Sequence, residues 1–264
     1  MYATAALVGP MTAFLYAQPQ RDDDAANPLR SVICGPLIPE VEEFKERFGV
    51  QMATSYGMTE TGISLATGWD HGPWQACGRP RPDYPWSEVR VVDENDEPLG
   101  AGEVGELVVR SAEPWSLNCG YYKMPDATAD AWRNGWFHTG DAFRYDDDGN
   151  FYLVDRLKDA IRRRGENISS FEVESVVRQY AGVHDAAAIG VPAVHGEDDV
   201  MVVVEGDVDP AALHAWLTGK LPKFMVPRYI QVGELPRNAT TQRIKKFELR
   251  AAGVSSTTWD AEER

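Results

Sequence analysis

The sequence predicts a mixed chain in two parts, an α/β region followed by an α+β domain. Three observations carry this. Over residues 1–62 short apolar runs alternate with amphipathic stretches, the pattern of layered βαβ structure. Over residues 85–155 period-two alternation is split by acidic Gly/Asn turns, which implies a small antiparallel sheet or barrel. From residue 159 onward strands and helices mix again over a stretch long enough for one compact domain.

The elements follow in order. Leu7, Val8, Met11, Phe14 and Leu15 share one helical face, so residues 1–19 are expected to form a helix, ahead of an acidic connector at Arg21-Asp22-Asp23-Asp24. Gly9-Pro10 breaks that run and no basic segment precedes it, which argues against a cleaved signal peptide. Ser31-Val32-Ile33-Cys34 reads as a strand, Gly35-Pro36 as a turn, and Pro39 to Phe48 as a helix followed by a second strand. Glu88-Val89-Arg90-Val91-Val92 and Glu106-Leu107-Val108-Val109-Arg110 alternate on either side of a turn at Glu94-Asn95-Asp96-Glu97. Asp146-Asp147-Asp148-Gly149-Asn150 then turns into Phe151-Tyr152-Leu153-Val154. That turn resembles a calcium loop only superficially, because its twelfth position is Leu157 rather than Glu; it reads as a hairpin. Trp132, Trp136 and Phe137 read as core aromatics.

The last part opens with a strand at Asp159–Arg163 and a helix near Phe171–Tyr180, with Glu172 and Glu174 in its first turn. Strands follow around Ala186–Val191 and Val200–Glu205. The next helix opens at Asp209-Pro210, with Asp as N-cap and Pro at the first helical position. The charge-dense Asp155–Asp159 segment lies between apolar strands and marks the boundary. The expected domains are therefore 1–155, itself an α/β part (1–84) and an antiparallel part (85–155), and 156–264.

Composition narrows the function. The 264 residues carry 26 basic and 41 acidic side chains, a formal charge of −15 that argues against nucleic acid as a partner. No apolar run approaches the roughly 18 residues that span a bilayer. Cys34, Cys77 and Cys119 are odd in number and widely spaced, neither a zinc pattern nor a disulfide framework, and point to a reducing cytoplasm. The scattered histidines form no metal pair.

One string concentrates chemistry. Tyr56-Gly57-Met58-Thr59-Glu60-Thr61-Gly62 brings together an aromatic ring, a flexible glycine, a hydroxyl and a carboxylate, read here as a loop after the second strand. That set can stack on a base, admit a phosphate to the backbone, donate to phosphate oxygen and hold Mg²⁺ through a hard oxygen. Alone, such a string is as well explained by a plain turn ending in an exposed Glu. Three further motifs follow in order: Trp136-Phe137-His138-Thr139-Gly140-Asp141, Asp155-Arg156-Leu157-Lys158-Asp159 and Arg164-Gly165-Glu166-Asn167. Together the four resemble the adenylate-forming (AMP-binding) superfamily of acyl-CoA synthetases, luciferases and peptide-synthetase adenylation domains. The run from Lys158 to Ser169 is most similar to CoA ligases of the fatty-acid and carnitine/crotonobetaine type.

The resemblance implies roles. Tyr56 would stack on adenine, Gly57 would admit a phosphate to the backbone, Thr59 would meet a phosphate, and Glu60 would hold Mg²⁺. Asp141 would grip the ribose hydroxyls, with Arg156 reaching ribose or phosphate, and Lys158 would be the hinge of a mobile C-terminal domain. Gly165 would lie beside the pantetheine arm, and Arg162, Arg163 or Arg164 would meet CoA phosphates; alternate residues of a strand face opposite ways, so one of the three is expected to do so. Gly35-Pro36 resembles the family's glycine loop beside the adenine and acyl pocket, and a plain turn explains it equally. The family's C-terminal catalytic lysine falls on Arg243 when the stretch is anchored on Ile244, or on Gln242 when anchored on Pro236; Lys245 stands two residues beyond Arg243.

The resemblance also implies ATP/AMP, Mg²⁺ and coenzyme A as cofactors, a carboxylic acid as substrate, and acyl-AMP as intermediate. The family's Ser/Thr/Gly-rich phosphate loop has no counterpart in residues 1–55, so the chain reads as the C-terminal half of a ligase: the remnant of the large domain, a β subdomain and the small mobile domain. Such a chain is expected to be weak or inactive alone, and to pair through an apolar face of residues 1–60 with an N-terminal partner chain or a second copy. The alternative is a non-catalytic half that binds nucleotide or protein.

Overall fold

The computed structural model describes residues 3–70, 72–163, 166–193, 196–239 and 242–262. Contacts divide the chain into two compact units, Met1–Val154 and Asp155–Arg264.

The first unit opens with a three-stranded parallel sheet, β1 (Ala3–Val8), β2 (Leu29–Gly35) and β3 (Gln51–Ala53), in that spatial order. Helix α1 (Gly9–Tyr16) connects β1 to β2, and α2 (Val41–Phe48) connects β2 to β3. Val32, Cys34, Phe44, Val50 and Met52 are buried in its core. The expected helix over 1–19 is corrected here. Residues 3–8 form a strand, because Ala-Thr-Ala-Ala-Leu-Val pairs along β2, with Leu7 opposite Cys34. Gly9-Pro10 starts the helix instead of breaking it: proline in the first turn forfeits no intrahelical amide bond. The result leaves Val8, Met11, Phe14 and Leu15 exposed, Phe14 at 72%.

Two further sheets complete this unit. β4 (Ser55–Met58), β5 (Gly62–Ala66) and β6 (Arg79–Pro80) form one. The other has β7 (Ser87–Val92), β8 (Gly105–Ser111), β10 (Trp136–Tyr145) and β11 (Phe151–Arg156) side by side, with β9 (Trp132–Arg133) pairing β10 after helix α3 (Pro125–Ala131). β7, β8 and β10 pair antiparallel. Leu65, Val91, Leu107, Phe143 and Phe151 bury together and tie β5 to the larger sheet. Phe137 is buried, and the Trp136 ring has Arg90 and Arg110 over it at 4.7 and 4.4 Å. The acidic turn is a hairpin: Asp146 N–H donates to the Asn150 carbonyl, and Gly149 takes φ +77°.

The second unit is built on a mixed sheet with strand order β14 (Val183–Pro192), β15 (Asp198–Gly206), β16 (Tyr229–Val232) and β17 (Trp259–Asp260). A hairpin of β12 (Ile161–Arg163) and β13 (Glu166–Ile168) precedes it. α5 (Pro210–Thr218) is the crossover between parallel β15 and β16, capped by Asp209, whose carboxylate accepts from the Ala211 and Ala212 amides. α4 (Ser170–Val177) is capped by the Ser169 hydroxyl. Alternation sorts the strands into two faces. Ala186, Ala188, Val200, Val202 and Val204 pack with Val173, Val177, Leu213 and Leu217. Ala187, Ile189, Met201 and Val203 face the other way, with Leu235 and with Leu249 of α6 (Lys246–Ala252). Both faces of β15 are therefore covered, which explains a run of six consecutive buried residues where a one-sided strand would alternate.

Candidate functional site

The Tyr56–Gly62 string, expected as a loop, is a hairpin. Tyr56, Gly57 and Met58 lie in β4 opposite Leu65, Ile63 and Gly62, and Thr59-Glu60-Thr61 make the turn. The loop reading fails because the β5 half lacks the alternation that marks a partner strand: Ser64 and Leu65 are both buried. Gly57 is required by space. A Cβ there would stand 2.3 Å from the Gly62 carbonyl oxygen, where no side chain fits. Thr59 is exposed at the tip. Glu60 is fixed at two points: its carbonyl accepts from the Asn118 amide at 2.8 Å, and its Oε1 accepts from the Tyr121 hydroxyl at 3.0 Å. Burial, and then the Glu60 carboxylate, raise the Tyr121 phenol above its ordinary pKa and keep it a donor.

Asp141 sits in a bulge of β10. His138 pairs with Val108 and Ala142 with Glu106, so Thr139, Gly140 and Asp141 stand opposite Leu107 alone. Gly140 takes φ +71°, the left-handed region that glycine enters without strain. Asp141 is 8% exposed, and its Oδ2 accepts from the Tyr56 hydroxyl at 2.7 Å. One bond thus joins two motifs 85 residues apart. Phe143 meets the Tyr56 ring edge-on, centroids 4.8 Å apart. Burial first, then the Asp141 charge, push the Tyr56 phenol far above its ordinary value. Gly35 ends β2 beside this place: a Cβ on it would lie 3.6 Å from the carbonyl oxygen of Ser55, the residue before Tyr56.

The remaining motif residues belong to the second unit. Arg156 is exposed at the end of β11, and Lys158 is exposed in the turn that follows, where the Asp159 and Ala160 amides donate to the Arg156 carbonyl. Arg162 is exposed. Arg163 is buried, paired with Asp199 at 3.1 Å and donating to the Phe224 and Val226 carbonyls, so a phosphate role for it is corrected to a structural one. Arg164 and Gly165 lie outside the described residues. Arg243 is exposed next to Gln242, which holds φ +57°, and its carbonyl accepts from the Asn238 amide. Lys245 pairs with Glu248 at 2.8 Å. Lys246 is drawn inward, 2.6 Å from buried Glu174, whose Oε1 also accepts from the Ala188 amide.

Sequence reasoning missed Tyr121 and Glu106, the side chains that hold the motif residues. A carboxylate within the apolar alternation of β8 was the available signal, since a half-buried charge needs partners. Among the described residues no group of three or more His, Cys, Asp or Glu gathers to hold a metal. No helix there is long and apolar enough to cross a membrane.

The Tyr56 hairpin and the Asp141 bulge meet through one hydrogen bond, and comparison with known proteins gives the family. A family profile described as AMP-binding enzyme matches residues 2–122, and one described as AMP-binding enzyme C-terminal domain matches residues 172–242. The chain belongs to the adenylate-forming, AMP-binding enzymes, on the acyl-CoA ligase side. It is 35% identical over 246 residues to the crotonobetaine/carnitine–CoA ligase of Salmonella heidelberg, covering 89% of this chain and 47% of that protein. Among solved structures it is similar to ATP-bound MatB of Rhodopseudomonas palustris, 30% identical with TM-score 0.79, covering 95% of this chain and 51% of that one. It is also similar to o-succinylbenzoate CoA synthetase of Bacillus subtilis in complex with its acyl-adenylate intermediate, 26% identical with TM-score 0.80, covering 94% and 50%. The chain thus spans about half the length of the relatives it matches.

Proposed function

We propose that this chain supplies the ribose- and magnesium-binding part of an ATP-dependent acyl-CoA ligase. The reaction is carboxylate plus ATP to acyl-AMP, then transfer of the acyl group to CoA. The observation that supports the reading is the Tyr56–Asp141 hydrogen bond, which joins the two side chains that one nucleoside would need together. Glu60 offers a hard carboxylate oxygen held by Tyr121. That donor suits Mg²⁺, which keeps several waters and takes its other ligands from substrate phosphates. When bound, the metal supplies neutralisation of charge at those phosphates.

In the same reading Thr59 donates to phosphate, Gly35 borders the nucleotide, Arg156 reaches ribose or phosphate, and Lys158 is the hinge. Arg164 and Gly165 serve CoA. Arg243 stands in for the family lysine, keeping its charge as a planar fork instead of a compact ammonium, and Lys245 is the weaker candidate. Exposed Val8, Met11, Phe14 and Leu15 favour pairing with a partner chain or a second copy. Three unpaired cysteines favour the cytoplasm. Arg243, together with the engagement of Lys246 by Glu174, favours a second reading, a non-catalytic nucleotide- or protein-binding module.

Calorimetric titration with ATP·Mg²⁺ and with a non-hydrolysable acyl-adenylate analogue tests the first reading. Binding of the analogue that weakens about tenfold or more on Asp141→Ala is the expected result. No heat from either ligand with a folded sample would sink the nucleotide site.

A further inference from the structure

The bulge that carries Asp141 is closed by side chains, and we infer that Glu106 is the positioning residue that sets Asp141 for ribose recognition. Inserting two extra residues into β10 removes ladder partners for the backbone at Thr139 and Gly140. Two side chains bond within the bulge instead. Glu106 Oε1 accepts from the Gly140 amide at 2.9 Å, and the Thr139 hydroxyl donates to the Leu107 carbonyl at 2.7 Å. The same hydroxyl accepts from the Asp141 amide at 3.2 Å. The Gly140 and Asp141 amides of the bulge are therefore held by one carboxylate and one hydroxyl.

Glu106 is itself held. Its Oε2 lies 2.8 Å from His138 Nδ1 and 3.6 Å from an Arg133 guanidinium nitrogen, which itself stands 2.8 Å from the same ring nitrogen. Its side chain is 13% exposed, so the charge is shielded from water and its hydrogen bonds are strong. Glu106 thus sits in a cluster with Arg133 and with His138, buried one residue before the bulge, and holds the Gly140 amide. Gly140 needs that lock, because glycine at φ +71° has no side chain to limit its backbone. At the far end the Tyr56 hydroxyl donates to Asp141 Oδ2, fixing the carboxylate that the bulge has aimed. Glu106 lies in β8 and, in this assignment, does not contact the ligand.

The inference rests on the reading of Asp141 as a ribose ligand, and the test separates the two. The full chain and its Glu106→Ala, Glu106→Gln and Asp141→Ala variants are titrated with AMP and with 2′,3′-dideoxy-AMP. Glu106→Ala is expected to weaken AMP about tenfold while leaving the dideoxy nucleotide nearly unchanged. Glu106→Gln, which keeps an oxygen for the Gly140 amide, should fall in between. Adding Glu106→Ala to Asp141→Ala should cost nothing more. Equal loss of both nucleotides, or full additivity with Asp141→Ala, would overturn the assignment of Glu106.

If the unaltered chain does not prefer AMP, the ribose reading fails, and crystal structures of the variants decide the positioning claim. Loss of the Tyr56–Asp141 bond in Glu106→Ala sustains it, and retention at 2.7 Å refutes it. Should Glu106→Ala not fold, Glu106→Gln and Thr139→Val are put through the same comparison, with the same outcomes deciding.

Discussion

At the scale of single residues, the three basic side chains near the C-terminus have separate fates, although they stand almost adjacent. Lys246 meets Glu174, a carboxylate with only 4% of its side chain exposed, which also accepts from the Ala188 amide and from Arg178. Removing the lysine leaves that carboxylate buried with fewer donors. Lys246→Ala is therefore expected to destabilise the second unit by about 2–3 kcal/mol, seen as a lower urea midpoint. Arg243→Ala, at an exposed position, should change the stability by less than about 0.5 kcal/mol. A large loss from the arginine change would assign it to the fold and remove it from the reaction. The motif residues were legible because each needs a particular chemistry, such as a ring, a hydroxyl or a carboxylate. Their holders were not: Tyr121 lies 61 residues from Glu60, and Glu106 lies 34 from Gly140, with no local pattern connecting either pair.

At the scale of elements, the turn of the Asp146–Phe151 hairpin depends on one carboxylate. Asp146 Oδ1 accepts from the Asn150 amide at 2.8 Å, and Oδ2 accepts from the Tyr152 hydroxyl at 2.6 Å. The tyrosine bond above all lowers the Asp146 pKa from 3.8 to about 2. A folded pKa below the unfolded one means that the stabilisation is complete above the unfolded pKa. It is lost as pH falls through the folded one. Stability measured in urea should therefore drop more steeply between about pH 4 and 2 in the unaltered protein than in Asp146→Asn. Parallel curves would show that the two bonds contribute nothing net. The hairpin itself was readable from its Gly149-Asn150 turn, and so was α5 from its Asp-Pro start. The first segment was not. An apolar run of five or six residues fits a strand or a helical face alike, and only its pairing along β2 separates them.

At the scale of the whole molecule, the second unit has what an independent domain requires. Its sheet is covered on both faces, by α4 and α5 on one side and by Leu235 and α6 on the other. Its chain of Asp155–Arg264 is long enough to bury a stable core. Its ends are also secured internally. Asp155 caps the Ser170 amide, and Asp260 pairs with Arg228 at 3.1 Å, which pairs in turn with Asp199. Excised Asp155–Arg264 is therefore expected to unfold cooperatively in urea, with coincident transitions by far-ultraviolet circular dichroism and by tryptophan fluorescence from Trp216 and Trp259. In the intact chain the same transition should appear at nearly the same midpoint, because the bonds of Asp155 to Ser170 and of Asp260 to Arg228 lie within the unit. Lys246→Ala should shift it equally in both contexts. A fragment with helical and strand signal but no cooperative transition would mean that its core needs more than its own residues. An intact chain with one merged transition at a much higher midpoint would mean that the two units stabilise each other. A hinge at Lys158 would then have to break that stabilisation before it could turn.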